Sequence, residues 1–304
     1  MAQDTAHSEM AAQMAGKAGF IAALDQSGGS TPGALKLYGV PEDAYKGDAE
    51  MFALMHQMRV RMMSSPAFTG DKVIAAILFE ATMDGEAKGL PVPTYLWKER
   101  GVVPLLKVDK GLAAEDDGVS LMKPIPGLQA LLDRARALGV FGTKMRSVIR
   151  LASPTGIDSI VTQQFAFGVE IAERGLVPII EPEVSIHSPD KAGAETFLKE
   201  AILVKLDELP DGLKVMLKLT IPETPDFYAP LIAHPSVMRV VALSGGYTRA
   251  DACQRLALNH GMIASFSRAL AEDLRYSMTD AEFDAALTAA IDEIYQASTV
   301  KTAA

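Results

Sequence analysis

Apolar and polar positions along this chain alternate on two length scales. Eight short runs are apolar almost throughout: GFIAALDQ (19–26), VIAAILFE (73–80), VVPLLKVD (102–109), GTKMRSVI (142–149), VPIIEPEV (177–184), KVMLKLT (214–220), VMRVVALSGG (237–246) and MIASFSRAL (262–270). Continuously apolar runs of this length are what parallel strands covered on both faces require. Between them, residues 48–63, 128–138, 157–174 and 195–209 carry apolar side chains at helical spacing. Gly139 and Gly175 stand just past two of these segments, where a left-handed terminal residue belongs. Asp280 and Phe283 open a last helix, and the stretch MAQDTAHSEMAAQMAGK at the start reads as an amphipathic one. Strand and helix alternating eight times predict the α/β class and a (β/α)8 barrel, with residues 1–304 as one domain that adds an N-terminal and a C-terminal helix. An open doubly wound sheet is the alternative. Its first strand would normally run into GxGxxG, a spacing that residues 25–30, DQSGGS, do not match.

Composition narrows the class of protein. The chain has 304 residues, 49% hydrophobic and 22% charged, and a formal net charge of −9. No basic excess exists to hold a nucleic-acid backbone. No apolar run approaches the ~18 residues of a membrane span, and the N-terminus lacks a signal peptide's apolar core. A single cysteine, Cys253, excludes an intramolecular disulfide and any multi-cysteine metal site. The expectation is a soluble, acidic, cytoplasmic protein with no nucleic-acid or membrane partner, for which assembly as a homo-oligomer stays open.

Polar residues fall where structural strands would not place them. The runs end in Asp25, Glu80, Lys107 with Asp109, Lys144 with Arg146, Glu181 with Glu183, Lys218, Ser244-Gly245-Gly246, and Ser265 through Arg268. Three of these pairs are spaced i, i+2, so both members share one face of a strand. In a barrel all such positions converge on the C-terminal rim, where active sites of this fold lie. Any one of them alone is accounted for by a rim ion pair; the same coincidence at eight strand ends is not.

Lys218 lies within Val215-Met216-Leu217-Lys218-Leu219, with no carboxylate within four residues on either side. An ordinary lysine is neutral at pH 7 in only about one molecule in 2500. Burial and a neighbouring cation such as Lys144 would favour the neutral amine, which attacks carbonyls to form a Schiff base. The alternative is a lysine that snorkels from a strand end. Glu181 and Glu183 offer two carboxylates on one face. Like charges held close raise one pKa and make a shared acid–base group. The same pair could ligate a metal, but the five histidines (His7, His56, His187, His234, His260) are scattered with no HxH or HxxxH pair, so no metal site is expected.

Ser244-Gly245-Gly246 ends a strand before a helix that starts near Thr248, a turn whose N–H groups can approach an anion. Arg268 falls after the next run, and barrels often build phosphate sites after strands seven and eight. Ser27-Gly28-Gly29-Ser30 forms a second small, hydroxyl-rich loop after the first run. Two such loops suggest a bisphosphate, and Lys107, Lys144, Arg146, Lys218 and Arg268 would make the mouth cationic despite the net charge.

Taken together, LDQSGGS, LLKVDKGL, FGTKMRS, LVPIIEPEV, VMLKLTIP, LSGGY and ASFSRAL resemble the class I, Schiff-base fructose-bisphosphate aldolases, in particular their shorter bacterial branch. The resemblance runs from about Gly19 to about Tyr295. It implies a cofactor-free and metal-independent lyase of glycolysis and gluconeogenesis that splits fructose 1,6-bisphosphate into glycerone phosphate and glyceraldehyde 3-phosphate. Lys218 would be the Schiff-base lysine, and Glu181, with Glu183 beside it, the proton carrier. Asp25 would take the hydroxyl proton when the C3–C4 bond breaks. Lys144 and Arg146 would polarise substrate oxygens and favour the neutral form of Lys218. Ser244, Gly245, Gly246, Ser265 and Arg268 would hold the phosphate of the ketone half, and Ser27, Ser30 and Lys107 the other. The longer animal-type branch ends in a mobile tail with a terminal tyrosine; here the last residues are STVKTAA, and Tyr295 belongs to the last predicted helix. Another imine-forming phosphosugar aldolase, of transaldolase type, and a non-catalytic phosphosugar sensor are the alternative functions.

Overall fold

The structure is a computed structural model that describes residues 2–27, 29 and 31–303. Each of the eight apolar runs is a strand: β1 (Phe20–Leu24), β2 (Val73–Leu78), β3 (Val103–Lys107), β4 (Gly142–Ile149), β5 (Val177–Val184), β6 (Val215–Thr220), β7 (Val237–Leu243) and β8 (Met262–Phe266). All are parallel and each pairs with the next. β8 returns to β1 through Ile21↔Ser265 and Ala22↔Phe266. That last pairing closes the sheet and decides for the barrel over the open doubly wound alternative.

The helices are α1 (Ala2–Gly16), α2 (Thr31–Tyr38), α3 (Gly47–Ser64), α4 (Leu128–Ala137), α5 (Pro154–Glu173), α6 (Lys191–Asp207), α7 (Arg249–Ala257) and α8 (Asp280–Thr299). Local chemistry sets their ends. Ser153, Asp190 and Thr248 accept N–H groups of the first turns of α5, α6 and α7, and Thr279 with Glu282 forms a reciprocal capping box on α8. Gly139 and Gly175 follow α4 and α5 with φ of 82° and 75°, the left-handed exits expected of them. Two crossovers depart from the alternation. After β2 and after β6 the chain makes only short helical turns. Pro91 and Pro93 in the first, and Pro222, Pro225 and Pro230 in the second, remove the backbone donors that a long helix needs. No helix among the described residues is long and apolar enough to cross a membrane.

The core has two layers. One lies between the strands and the outer helices; the other fills the barrel with Ile21, Ala23, Ile77, Val103, Leu105, Ile179, Met216, Val241 and Ile263. α1 closes the N-terminal mouth of that inner layer. Its Met10 and Met14 join the interior side chains, and Gln13 Nε2 donates to the carbonyls of Ile74 and Gly101 at 2.8 Å each. Arg239, near the start of β7, grips the end of the helix through the carbonyls of Met14 and Lys17. With one mouth plugged, a ligand reaches the interior from the C-terminal rim.

Candidate active site

Strand periodicity carries the barrel's inward face straight into the site. On β1 the inward residues are Ile21 and Ala23, and the next of that parity is Asp25. Val103 and Leu105 lead to Lys107, Ile179 leads to Glu181 and Glu183, Met216 leads to Lys218, and Ile263 leads to Ser265 and Ser267. The side chains are apolar at the plugged end and polar at the open end because successive residues of one parity face the same interior.

These groups line a cleft of about 690 Å³. Asp25, Ser27, Lys107, Lys144, Arg146, Glu181, Glu183, Lys218, Ser244, Gly245, Ser265 and Arg268 all face it. Ser30 lies outside the described residues. Gly246 is set back from the cleft and lines an adjoining cavity of about 230 Å³, where Arg268 faces it. Tyr295 lies in α8 under the ammonium of Lys72 and does not line the cleft.

At the centre is a chain of four buried charges. Lys144 Nζ stands 2.5 Å from Asp25 Oδ2 and 2.9 Å from Glu181 Oε2, and Lys218 Nζ is 3.1 Å from Glu181 Oε1. All four residues are at least nine-tenths buried. Burial raises the pKa of Asp25, but the Lys144 and Lys218 ammonium groups outweigh it and hold the carboxyl well below its ordinary range. Glu181 is likewise lowered against its burial by Lys144 and Lys218. Lys144, desolvated but facing two carboxylates, is raised above an ordinary lysine.

Two expectations need correction. Lys218 has no carboxylate near it in sequence, yet the adjacent strand brings one to its amine. Glu181 and Glu183 do not form a like-charge pair: Glu183 Oε2 accepts from Arg146 Nε at 2.6 Å, and Glu181 is lowered rather than raised. Neighbouring strands supply a separate cation to each carboxylate, so there is no shared proton to raise one of them. Lys107 is also held, by the Asp109 carboxylate at 2.6 Å and the Asp109 carbonyl at 2.8 Å. Among the described residues no group of three or more acidic, histidine or cysteine side chains is arranged to hold a metal ion.

The rim supplies anion-friendly chemistry. Gly245 and Gly246 have φ of 61° and 115°, and a Cβ on Gly245 would stand 2.7 Å from Ile186 Cγ2, so the turn requires glycine. Tyr247 N–H closes this turn onto Ser244 O, and Thr248 caps α7 immediately after it. Ser265 Oγ is buried without a protein partner among the described residues. Sequence reasoning missed Lys36 of α2, which also faces the cleft, and Arg59 of α3, buried behind β1 with Asp25 in its field. Neither is in a strand run, so neither carried a strand-end signal. Six cationic side chains and three carboxylates line the cleft.

The ion chain makes a stability prediction. Lys144→Met leaves Asp25 and Glu181 buried without their shared cation, and removing one partner of a buried pair costs about 3–5 kcal/mol. Asp25 and Glu181 are both lowered in the native chain, so their contribution is complete above their ordinary values of 3.8 and 4.5 and is lost as pH falls below them. In the variant Asp25 loses its ion-pair partner and Glu181 keeps only Lys218, so both resist ionisation more than in the native chain and the deficit should grow as pH rises from about 5 to about 8. Urea unfolding of both proteins across that range measures it. A deficit that is equal at every pH contradicts the charge chain.

Comparison with known proteins places the chain in a family. A family model described as fructose-bisphosphate aldolase class-I matches residues 8–220. A protein of Synechocystis sp. named fructose-bisphosphate aldolase class 1 is 59% identical over 290 residues, covering 95% of this chain and 97% of its own. A second of that name, from Porphyromonas gingivalis, is 56% identical over 95% of this chain and 98% of its own. Among solved structures, a fructose-bisphosphate aldolase from Plasmodium falciparum, in complex with TRAP and a small-molecule inhibitor, superposes with a TM-score of 0.79 at 19% identity, covering 98% of this chain and 96% of that one. With most of its length matched by the family model and by relatives above 50% identity, the chain belongs to the class I fructose-bisphosphate aldolases.

Proposed function

We infer that this protein is a lyase that reversibly splits fructose 1,6-bisphosphate into glycerone phosphate and glyceraldehyde 3-phosphate through a lysine Schiff base, in glycolysis and gluconeogenesis. The observation that carries the residue assignment is the buried contact of Lys218 Nζ with Glu181 Oε1, continued through Lys144 to Asp25.

Lys218 becomes a nucleophile when its ammonium proton passes to Glu181, 3.1 Å away. The amine adds to the C2 carbonyl, and the same carboxyl returns a proton to the carbinolamine oxygen, which leaves as water. The resulting iminium is an electron sink. Asp25 takes the C4 hydroxyl proton, the C3–C4 bond breaks into the iminium, and glyceraldehyde 3-phosphate departs from the enamine. Protonation at C3 and hydrolysis release glycerone phosphate and restore Lys218. Lys144 keeps Asp25 and Glu181 ionised between steps. Arg146 holds Glu183 in position. Ser244, Gly245, Ser265 and Arg268 take the phosphate on the ketone half, and Ser27 and Lys107 take the other. In this role the chain acts as one barrel domain and needs no cofactor, nucleic acid or membrane. Its location is the cytoplasm, since multiply charged sugar phosphates do not cross a lipid bilayer unaided.

Borohydride added during turnover should reduce the imine and leave the substrate-derived mass on Lys218. An adduct on Lys107, Lys110 or Lys144 instead, or activity that survives Lys218→Met, rules out the assignment. Glu181→Gln keeps shape and hydrogen bonding but cannot cycle a proton, so kcat should fall by about 10²–10⁴-fold with a smaller change in KM. Glu183→Gln should be milder. A dead Glu183→Gln beside a near-normal Glu181→Gln would reverse the two roles. Dialysis against EDTA should leave the rate unchanged, because Asp25, Glu181 and Glu183 are each already paired with a cation within 3.1 Å. Loss of activity that zinc or cobalt restores would refute the metal-independent mechanism.

A further inference from the structure

Residues assigned above to opposite phosphates, Ser27 on one side and Ser265 and Arg268 on the other, flank the barrel's closing seam. Backbone pairing between β1 and β8 stops at Ala22↔Phe266. Beyond that pair no backbone register continues, one chain leading through Asp25 to Ser27, the other through Ser267 to Arg268. A side-chain bond spans the seam: Gln26 Nε2 donates to Ser267 Oγ at 2.6 Å. Both residues are half-buried and both line the cleft.

Gln26 is itself held from behind. Arg59, 2% exposed in α3, donates through Nη2 to the Gln26 carbonyl at 2.6 Å and lies 3.5 Å from Gln26 Oε1. Its Nη1 is anchored on Thr82 Oγ1 at 2.7 Å. The guanidinium thus faces the amide oxygen and turns the amide nitrogen toward Ser267. A glutamine meets both demands at once: its oxygen faces a cation and its nitrogen donates to a hydroxyl.

We propose that the Arg59–Gln26–Ser267 chain is a strut that sets the span between the two phosphate loops, so that Gln26 and Ser267 are positioning residues that favour ketoses phosphorylated at both ends. This rests on the aldolase reading above. A substrate anchored at both ends gains from the second anchor only if the loops stand at the matching separation. A ketose with the C1 phosphate alone engages one loop and is indifferent to the span. The strut itself bears no charge at its Gln26–Ser267 link, so it competes with no phosphate for Arg268 or Lys107.

The test measures cleavage of fructose 1,6-bisphosphate and fructose 1-phosphate by the native protein, Gln26→Met, Ser267→Ala and the double variant. Methionine preserves length and removes the bond. Each single variant should raise KM for the bisphosphate about five- to tenfold, the worth of one neutral hydrogen bond, with kcat within about twofold. KM for fructose 1-phosphate should change less than about twofold. The double variant should be no worse than either single one, because both changes cut the same bond. Equal losses on the two substrates, or additive losses in the double variant, would overturn the strut. If Gln26→Met fails to fold, Ser267→Ala decides alone by the same two-substrate comparison. A native protein that cleaves neither ketose would sink the aldolase reading itself, an outcome distinct from native activity with unaltered variant selectivity.

Discussion

Everything at the open end of this barrel depends on the alternation of charge along Asp25, Lys144, Glu181 and Lys218. Four ionised groups in a site walled by protein would be prohibitive singly, since desolvation alone costs several kcal/mol per ion. Arranged as two carboxylates interleaved with two ammonium groups, they neutralise one another. Lys144 touches both carboxylates, Glu181 touches both lysines, and the ends of the chain are Asp25 and Lys218. The arrangement also makes proton movement local. A proton that leaves Lys218 for Glu181 converts a charged pair into a neutral one without changing the total, so the site need not import a counter-ion during the reaction. The ends of the chain are the groups assigned the two ends of the chemistry, imine formation and hydroxyl deprotonation.

Much of this was legible in the sequence because one periodicity governs both stability and function. The apolar runs that identify the strands and the charges that mark the site are the same residues counted in steps of two. Ile179 is core, Glu181 and Glu183 are site, and nothing but position along β5 separates them. A reader who finds strands by apolar runs therefore finds the rim at their ends, and the rim residues fall into one cleft because a closed barrel admits no other interior. The glycine turn after β7 was legible for a similar reason, since a left-handed backbone and close approach to Ile186 leave no alternative to glycine.

What the sequence could not show is pairing between strands. That Lys218 meets Glu181, or that Arg146 takes Glu183 away from it, depends on side-chain reach across the ladder between neighbouring strands; β5 and β6 pair through Ile179↔Met216 and Ile180↔Leu217. Along the chain Glu181 and Glu183 are each other's nearest charges. In the fold, each is dominated by a cation from another strand, and the direction of the Glu181 shift is reversed. Arg59 and Lys36 escaped because they sit on helices, where a single basic residue is ordinary and carries no strand-end signal.

Seven strand pairs join elements consecutive in the fold, whereas β8 and β1 join residues more than two hundred positions apart, and their ladder is short. The loops that continue from this seam carry residues assigned to opposite ends of the substrate, and there the backbone no longer fixes their separation. Side chains have taken over that task through Arg59, Gln26 and Ser267. The central charges are joined between neighbouring strands at Glu181, which Lys144 of β4 and Lys218 of β6 both reach, and across the mouth where Lys144 meets Asp25 beyond β1. The span between phosphates needs the two sequence-distant edges to hold still relative to each other, and that is where Gln26 and Ser267 are tied side chain to side chain.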